Sequence, residues 1–365
     1  MKPRRMLAAL STTLLMSGAL AFLAPAAHAA VLSCGTDLMT PNTTYVLTAD
    51  IDCTTSPLPY AVSIDANNIT LDLAGHSIRG HGTPGGDVSI VGVYVTINLF
   101  GGTANNAIIR NGTITGFNTG VYLEQVNAAT LSALNLHDNI GPDSTDIFGE
   151  GVQIFEGGGH TIKDSSVTHN GPFAGIDIYG PTSNNTVHDN AVRDNNIISG
   201  DHGGAGPTMQ DIGIWIVNLS SPTSNNTVTG NSVTGNGLDG IQLGFATTLN
   251  TITNNGVSSN GFGQPVDNPF RDGSGIAVFG SSNLVQGNRT VSNGAAGIGV
   301  MFPPNGNSTQ GKSNTIKLNV SALNGGATTP STPFDLFDQN TTPTPCDSNV
   351  WTTNVGLTRN QTCIH

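Results

Sequence analysis

Apolar and polar positions repeat in a ten-residue motif along much of the chain. TVHDNAVRDN is one clear copy, with an apolar second position and a final Asn. Alternation in short, β-branched runs indicates strands with one buried face, and a motif that recurs in register indicates a repeat architecture. The seven copies begin at Thr130, Thr161, Thr186, Thr227, Thr251, Leu284 and Thr315.

A second apolar pattern follows most copies, namely a Gly, an apolar residue, any residue and another apolar residue. The shortest unit that joins both patterns takes roughly 24 residues and has no helical periodicity. Several short strands in each unit predict an all-β parallel β-helix, in which equivalent residues stack about 4.8 Å apart. The second pattern opens at Gly151, Gly175, Gly213, Gly240, Gly275 and Gly297.

These repeats resemble the right-handed parallel β-helix superfamily of secreted pectate-lyase-like proteins. The segment ITLDLAGHSIRG, residues 69–80, looks like the first coil of many members. The resemblance implies a single-stranded right-handed solenoid over residues 61–325, with caps at 30–60 and 326–365. Members include polysaccharide lyases, glycoside hydrolases, uronate epimerases and non-catalytic proteins, so the fold does not choose the chemistry.

The amino-acid composition supports a repeat fold in which Asn side chains have a structural role. The 365 residues include 47 Gly and 39 Asn, while only 10% are charged and 5% aromatic. Helices disfavour both Gly and Asn, whereas stacked coils align Asn side chains into hydrogen-bonded ladders at the turns. We therefore interpret the recurring Asn residues as structural.

The ends of the chain indicate export. Residues 1–29 have a basic start, an apolar stretch and small residues before a cleavage point, which predicts a signal peptide. No later stretch is apolar enough to span a membrane. In an oxidising compartment, the simplest of three connectivities joins Cys34 to Cys53 and Cys346 to Cys363, so we expect disulfide-stapled caps in a secreted protein.

The net charge of the chain limits the classes of partner that it can bind. The formal net charge is −12, and removal of the basic signal peptide makes it more negative. Nucleic acid is excluded as a partner, because phosphate binding needs a basic face. We expect a monomer that acts on an extracellular polysaccharide.

Outward positions of the second pattern suggest a glycan groove. Flat rings beside amides suit a sugar chain, whose ring faces are apolar and whose rim is hydroxyl. Alternatively, loops fold over these side chains and bury them as a satellite core. The expected substrate-binding residues are Gln153, Phe155, Tyr179, Trp215, Gln242 and Phe279.

Asp177 is the sharpest catalytic candidate, because it is central and outward on a coil between two long insertions. Asp211 is the expected partner for hydrolysis, with Asp239 as an alternative, since an inverting glycosidase needs two carboxyl groups about 6.5–9.5 Å apart. A lyase instead needs a base, for which His202 or Arg271 is suitable.

A lyase also needs a cation on the uronate carboxylate, and Ca²⁺ is the expected cofactor. The candidate ligands are Asp143, Asp146 and Glu150, which lie in one insertion; a solvated acidic loop is the alternative. The resemblance favours a Ca²⁺-assisted uronate lyase, whereas the acidic charge favours hydrolysis of a neutral glycan. Because lyases are prevalent in the superfamily, we expect first a polysaccharide lyase that acts on a uronate-containing polysaccharide, with an inverting glycoside hydrolase on a neutral glycan as the alternative. No complete catalytic motif is present, so a non-catalytic glycan-binding protein remains a third hypothesis.

Overall fold

The computed structural model describes most of the chain beyond the expected signal peptide. Among the residues it describes there is no helix, and hence none that could cross a membrane. The described ranges are 27–81, 91–97, 103–141, 149–195, 211–218, 221–262, 273–301, 310–326, 333–341 and 344–365.

Thirty-four short strands follow one another along these ranges. The first eleven are β1 (Ala27–Ala30), β2 (Thr36–Leu38), β3 (Thr44–Leu47), β4 (Ile51–Asp52), β5 (Tyr60–Ile64), β6 (Thr70–Asp72), β7 (Ser77–Arg79), β8 (Val91–Thr96), β9 (Ile108–Thr115), β10 (Thr119–Glu124) and β11 (Thr130–His137). The next twelve are β12 (Glu150–Phe155), β13 (Thr161–Lys163), β14 (Ser166–Thr168), β15 (Ala174–Tyr179), β16 (Thr186–His188), β17 (Ala191–Arg193), β18 (Ile212–Val217), β19 (Thr223–Ser224), β20 (Thr227–Thr229), β21 (Ser232–Thr234), β22 (Ile241–Leu243) and β23 (Thr247–Thr248). The last eleven are β24 (Thr251–Thr253), β25 (Gly256–Ser258), β26 (Ile276–Val278), β27 (Leu284–Gln286), β28 (Arg289–Val291), β29 (Ile298–Val300), β30 (Thr315–Lys317), β31 (Val320–Ala322), β32 (Leu336–Asp338), β33 (Val350–Thr352) and β34 (Val355–Gly356).

The strands stack as a parallel β-helix, as the repeat predicts. One 21-stranded sheet, called sheet 1, takes two strands from most coils and contains the ten-residue motifs. An 11-stranded sheet, called sheet 2, takes one strand from each coil in the order β2-β5-β8-β10-β12-β15-β18-β22-β26-β29-β32. Strands β19 and β23 form a small separate pair.

Stacked aliphatic columns fill the interior. In sheet 2, Val152 pairs in register with Ile176, which pairs with Ile214, and all three are fully buried. The apolar column predicted from the motif is likewise in register and buried. It comprises Leu131, Ile162, Val187, Val228, Ile252, Val285 and Ile316.

Three Asn ladders run along the corners, where the sequence analysis identified one column. In each ladder the side-chain oxygen of one Asn accepts the backbone and side-chain N–H groups of the Asn one coil earlier. The Gly that opens each sheet 2 strand packs against a ladder, since a Cβ on Gly213 would lie 2.7 Å from Asn236 Nδ2. The ladders are Asn139-170-195-236-260-293-324, Asn185-226-250-283-314-349 and Asn190-231-255-288-319-354.

Both ends are continuous with the stack. Strands β2 to β4 pair with the coil that follows them, and β32 to β34 pair with the coil before them, so coils extend beyond the expected limits of 61 and 325. The expected disulfides are present, with Sγ–Sγ distances of 2.02 Å for Cys34–Cys53 and 2.00 Å for Cys346–Cys363. Strand β1 pairs with β3 and includes the expected signal cleavage point after Ala29.

Candidate active site

The outer face of sheet 2 carries the central row that the alternation predicts. Tyr122 on β10 pairs with Gln153 on β12, which pairs with Asp177 on β15. The row continues through Trp215 to Gln242. Consecutive strands therefore stack these side chains one coil apart, with Gln153 and Trp215 on either side of Asp177.

The row is buried, which differs from the open groove expected from the sequence. The exposed fraction is 1% for Asp177 and 6% for Trp215, and Gln153 and Gln242 are also buried. Strand alternation reports which face a side chain leaves from, and it contains no information on what covers that face. The side chains of this row are therefore enclosed and do not line an open groove.

The expected substrate-binding aromatics pack in pairs. Phe155 stacks on Tyr179 with ring centroids 5.7 Å apart. Trp215 stacks on Phe173 at 6.1 Å within a small apolar cluster, and buried Phe279 contacts Phe245 edge-on at 5.7 Å in another. The satellite-core alternative thus describes Trp215 and Phe279, whereas Phe155 and Tyr179 remain partly exposed.

Glu150 begins strand β12 in register with Ala174, three residues before Asp177 on the next strand, and it is fully buried. Thr119 Oγ1 and the Gly149 backbone N–H each donate to Glu150 Oε2, both at 2.9 Å. Glu150 Oε1 has no hydrogen bond within the described ranges. Burial, and then the nearby Asp177 charge, raise the Glu150 pKa well above its ordinary value. Glu150 begins strand β12 and is buried, so the alternative of a solvated loop is wrong for this residue, whereas its role as a Ca²⁺ ligand stays a prediction.

Asp177 is the least satisfied carboxyl group on the face. Burial raises its pKa to about 8, and the Gln153 side chain opposes this shift. Neither carboxylate oxygen makes a hydrogen bond of normal geometry to a described residue. Asp177 and Glu150 are therefore two buried carboxyl groups whose charges interact, each with a raised pKa, and they hold protons at pH values where ordinary carboxyls are ionised.

The other expected companions of Asp177 have different places. Asp211 is buried immediately before β18, with a positive φ of 69°. Asp239 accepts hydrogen bonds from Gln242 Nε2 at 2.6 Å and from the Ser274 backbone N–H at 2.7 Å, so its carboxylate is already engaged. Glu150 is the carboxyl group whose charge interacts with that of Asp177.

Four expected residues lie outside the described ranges: His202, Arg271, Asp143 and Asp146. No group of three or more His, Cys, Asp or Glu side chains among the described residues could hold a metal ion. Asp143 and Asp146 lie outside the described residues, so the Ca²⁺ set that includes Glu150 stays a prediction.

Charge is segregated between the two sheets. The strands of sheet 2 contain no Lys, Arg or His, although they carry Asp37, Glu124, Glu150, Asp177 and Asp338. Where these carboxyl groups are ionised, with no strand cation beside them, the face disfavours anionic ligands and favours cationic ones. Every described strand cation is in sheet 1, namely Arg79, Arg110, Lys163, Arg193, Arg289 and Lys317.

An open cleft of about 540 Å³, here called the N-terminal cleft, lies on the early coils of the same face. Sequence analysis missed it because the first coils depart from the ten-residue motif and were assigned partly to a cap. The alternating pattern TDL at 36–38, in register with YAVSI at 60–64, was the available signal. Its lining residues are Asp37, Met39, Tyr60, Ser63, Asp65, Tyr94, Thr96, Ile97, Glu124 and Gln125.

Comparisons with known proteins agree with the architecture. Residues 87–316 match the model of a family described as "right handed beta helix region". No curated protein matches the sequence significantly.

Solved structures with the same fold have low sequence identity. The A-module of the *Azotobacter vinelandii* mannuronan C-5 epimerase AlgE4 is 12% identical with a TM-score of 0.53, over 88% of this chain and 83% of that one. The periplasmic alginate epimerase AlgG is 13% identical with a TM-score of 0.52, over 89% and 73%. The Dettilon tailspike protein is 19% identical with a TM-score of 0.44, and 80% of this chain spans 47% of its length.

Proposed function

Because the chain belongs to the right-handed β-helix family, we propose that it is a secreted enzyme that hydrolyses an extracellular polysaccharide with Asp177 and Glu150. The carrying observation is a pair of buried carboxyl groups whose charges interact, and among the described residues neither Asp177 oxygen nor Glu150 Oε1 has a hydrogen bond of normal geometry. Buried groups with strongly perturbed pKa values are concentrated at catalytic sites, where they are matched to proton transfer.

The pair has the properties that glycoside hydrolysis requires. Glu150, whose pKa burial and the Asp177 charge raise well above its ordinary value, keeps its proton at neutral pH and donates it to the glycosidic oxygen as the bond to C1 breaks. Asp177, which ionises with a pKa of about 8, takes a proton in its ionised form from the water that attacks C1. Because ionisation of either carboxyl group makes ionisation of the other less favourable, the pair favours the state that holds one proton in total. One protonated and one ionised carboxyl group are the acid and the base that the reaction needs.

Charge segregation favours a neutral glycan over a uronate polymer. A lyase must stabilise the negative charge that develops beside the uronate carboxylate, usually with cations. The described strands of sheet 2 supply none. Hydrolysis of a neutral sugar needs no such compensation.

Uronate cleavage by a lyase is the second candidate. Protonated Asp177 is also able to donate a hydrogen bond to a uronate carboxylate and so offset its charge. In this alternative His202 or Arg271 would act as the base, with Asp143 and Asp146 near a Ca²⁺ ion. AlgE4 and AlgG, named as mannuronan and alginate epimerases, have the same fold, and this likeness supports the alternative.

Export is part of the proposal. The signal-peptide pattern of residues 1–29 and the two disulfides both suit an oxidising compartment. N-terminal sequencing of the secreted protein, expected to begin at Ala30, tests the cleavage point.

One assay separates the candidate reactions. The protein is incubated with neutral and uronate polysaccharides, with and without Ca²⁺, while reducing ends and the ultraviolet absorbance of unsaturated uronates are followed. We expect reducing ends from a neutral polymer without absorbance. Absorbance from a uronate polymer would establish the lyase, and no product from any polymer would favour binding alone.

Matched variants tie the activity to the pair. Asp177→Asn and Glu150→Gln each remove a titrating group while keeping its size, and we expect each to lower the rate by about 100-fold or more. Asp164→Asn, which removes an exposed carboxylate beside Lys163 on the opposite sheet, is the control and should keep the full rate.

A further inference from the structure

The N-terminal cleft combines apolar and acidic surface in an accessible concavity. Met39 and Ile97 are 53% and 40% exposed, which is unusual for apolar side chains beside carboxylates. Tyr60 and Tyr94 have ring centroids 6.4 Å apart and are both partly exposed. Sugar rings, with apolar faces and a polar rim, match such mixed surfaces.

The tyrosine hydroxyls orient the carboxylates of the cleft. Tyr60 Oη donates to Asp37 Oδ1 at 2.6 Å, and the Tyr94 hydroxyl donates to Glu124 Oε2. The hydrogen bond to Asp37 is the main cause that raises the pKa of Tyr60 to about 12, and burial followed by the bond to Glu124 raises that of Tyr94 to about 12. Both hydroxyls therefore remain protonated donors at neutral pH.

Each carboxylate keeps one oxygen for a ligand. Ser63 Oγ donates to Asp65 Oδ1 at 2.8 Å, while Asp37 and Glu124 accept through Oδ1 and Oε2. No hydrogen bond from a described residue reaches the second oxygen of these three side chains. The cleft thus presents three acceptors and, among its lining residues, no cation.

We propose that the N-terminal cleft binds a sugar unit that bears a free ammonium group, as in a de-acetylated amino-sugar polymer. The ammonium would lie between Asp65 and Glu124, and the sugar would pack against Tyr60 and Tyr94. Charge-assisted hydrogen bonds to carboxylates are about twice as strong as neutral ones, so the charge on the amine dominates recognition. The site lies on coils before Asp177 and does not require its chemistry.

Calorimetric titration with glucosamine oligomers tests this assignment. The probes are a β-1,4-linked glucosamine tetramer, its fully N-acetylated counterpart and tetralysine, each added to the full-length mature protein near neutral pH. We expect the glucosamine tetramer to bind about tenfold or more tightly than the acetylated one, and more weakly as salt rises. Equal affinity for the two tetramers, or tighter binding of tetralysine, would overturn the assignment.

Variants locate the binding. Asp65→Asn combined with Glu124→Gln should lower the affinity about tenfold or more, whereas Asp164→Asn should leave it unchanged. Asp37→Asn, at an exposed position that cannot disturb the core, should lower it several-fold and serves if the double variant misfolds. Unchanged affinity in the cleft variants contradicts the proposal. Asp177→Asn should bind normally, so failure of binding and failure of cleavage are separable.

Discussion

The corners of the β-helix and the outer face of sheet 2 bury polar groups in opposite ways. At a corner, Asn231 donates to Val187 O at 2.9 Å and to Asn255 Oδ1 at 3.0 Å, and its oxygen accepts from Asn190. On the face, Asp177 has both oxygens buried without a hydrogen bond of normal geometry to a described residue. The Asn side chains of the ladders thus have hydrogen-bond partners, whereas burial of the Asp177 carboxyl group costs free energy.

The difference distinguishes scaffold from site. A satisfied buried amide contributes about 1 kcal/mol per hydrogen bond, whereas an unsatisfied buried carboxyl destabilises the fold. Natural proteins break local rules of this kind mainly at functional sites. The contrast yields predictions of opposite sign for similar substitutions.

The ladder gives the largest expected effect. Asn231→Ala leaves the backbone and side-chain N–H groups of Asn190 and the Val187 carbonyl without their partner, at about 1–3 kcal/mol for each unsatisfied group, while Asn255 Oδ1 keeps the backbone N–H of residue 231. We expect a loss of about 4 kcal/mol in the free energy of unfolding, measured with urea. The exposed strand residue Asn135 is the control, and Asn135→Ala should change stability by no more than about 0.5 kcal/mol. Equal losses would contradict a special role for the ladder.

The second largest loss in the free energy of unfolding is expected at Asp335, a carboxylate whose oxygens accept hydrogen bonds. Asp335 is buried, and its two oxygens accept from Asn324 Nδ2 at 2.9 Å and from the Leu357 and Thr358 backbone N–H groups at 2.9 and 3.0 Å. Asp335→Asn replaces one acceptor with a donor that faces other donors. We expect a loss of about 3 kcal/mol by urea unfolding, and an unchanged value would show that these bonds contribute little.

Asp177→Asn should act in the opposite direction. The Asp177 pKa is raised from 3.8 to about 8, so between these pH values the folded state retains a proton that the unfolded state releases. Wild-type stability from this group is therefore fully present below pH 3.8 and is lost as pH rises towards about 8. Asn does not titrate, so the variant should gain on the order of 2 kcal/mol relative to wild type across that window. A stability difference independent of pH would refute the raised pKa.

The smallest effect concerns His160, which precedes Asn185 in its ladder and donates its backbone N–H to Asn185 Oδ1 at 3.0 Å. Burial lowers the His160 pKa from 6.5 to about 4, so the neutral ring is the folded form. As pH falls from 6.5 to about 4, the His160 ring becomes protonated in the unfolded state but stays neutral in the folded state, so the free energy of unfolding decreases. His160→Asn should remove about 1 kcal/mol of this acid sensitivity in thermal melts at several pH values. Identical melts of variant and wild type would exclude His160 as the cause.

Much of the fold is readable from periodicity. The column from Leu131 to Ile316 and one Asn ladder follow from spacing alone, because stacked coils force equivalent positions into register. Both disulfides follow from the choice of the local pairings in an oxidising compartment. The early coils could not be predicted from the motif, because strands β2 to β4 pair in register although their sequences do not repeat it.

The site was only partly readable. Alternation identified Asp177 and its neighbours in register, yet it could not show that they are buried, because it reports only the face from which a side chain leaves the strand. Glu150 was assigned to a loop since it follows a long insertion, whereas it begins strand β12 and its charge interacts with that of Asp177.

The most direct test of the central claim, that Asp177 is retained for chemistry at a cost in stability, measures two properties of Asp177→Asn in one buffer at neutral pH. These are the release of reducing ends from the polysaccharide that wild type cleaves and the free energy of unfolding. We predict a rate lowered by about 100-fold or more together with equal or higher stability. A variant that cleaves at the full rate, or one that is inactive because it is less stable, would contradict the claim.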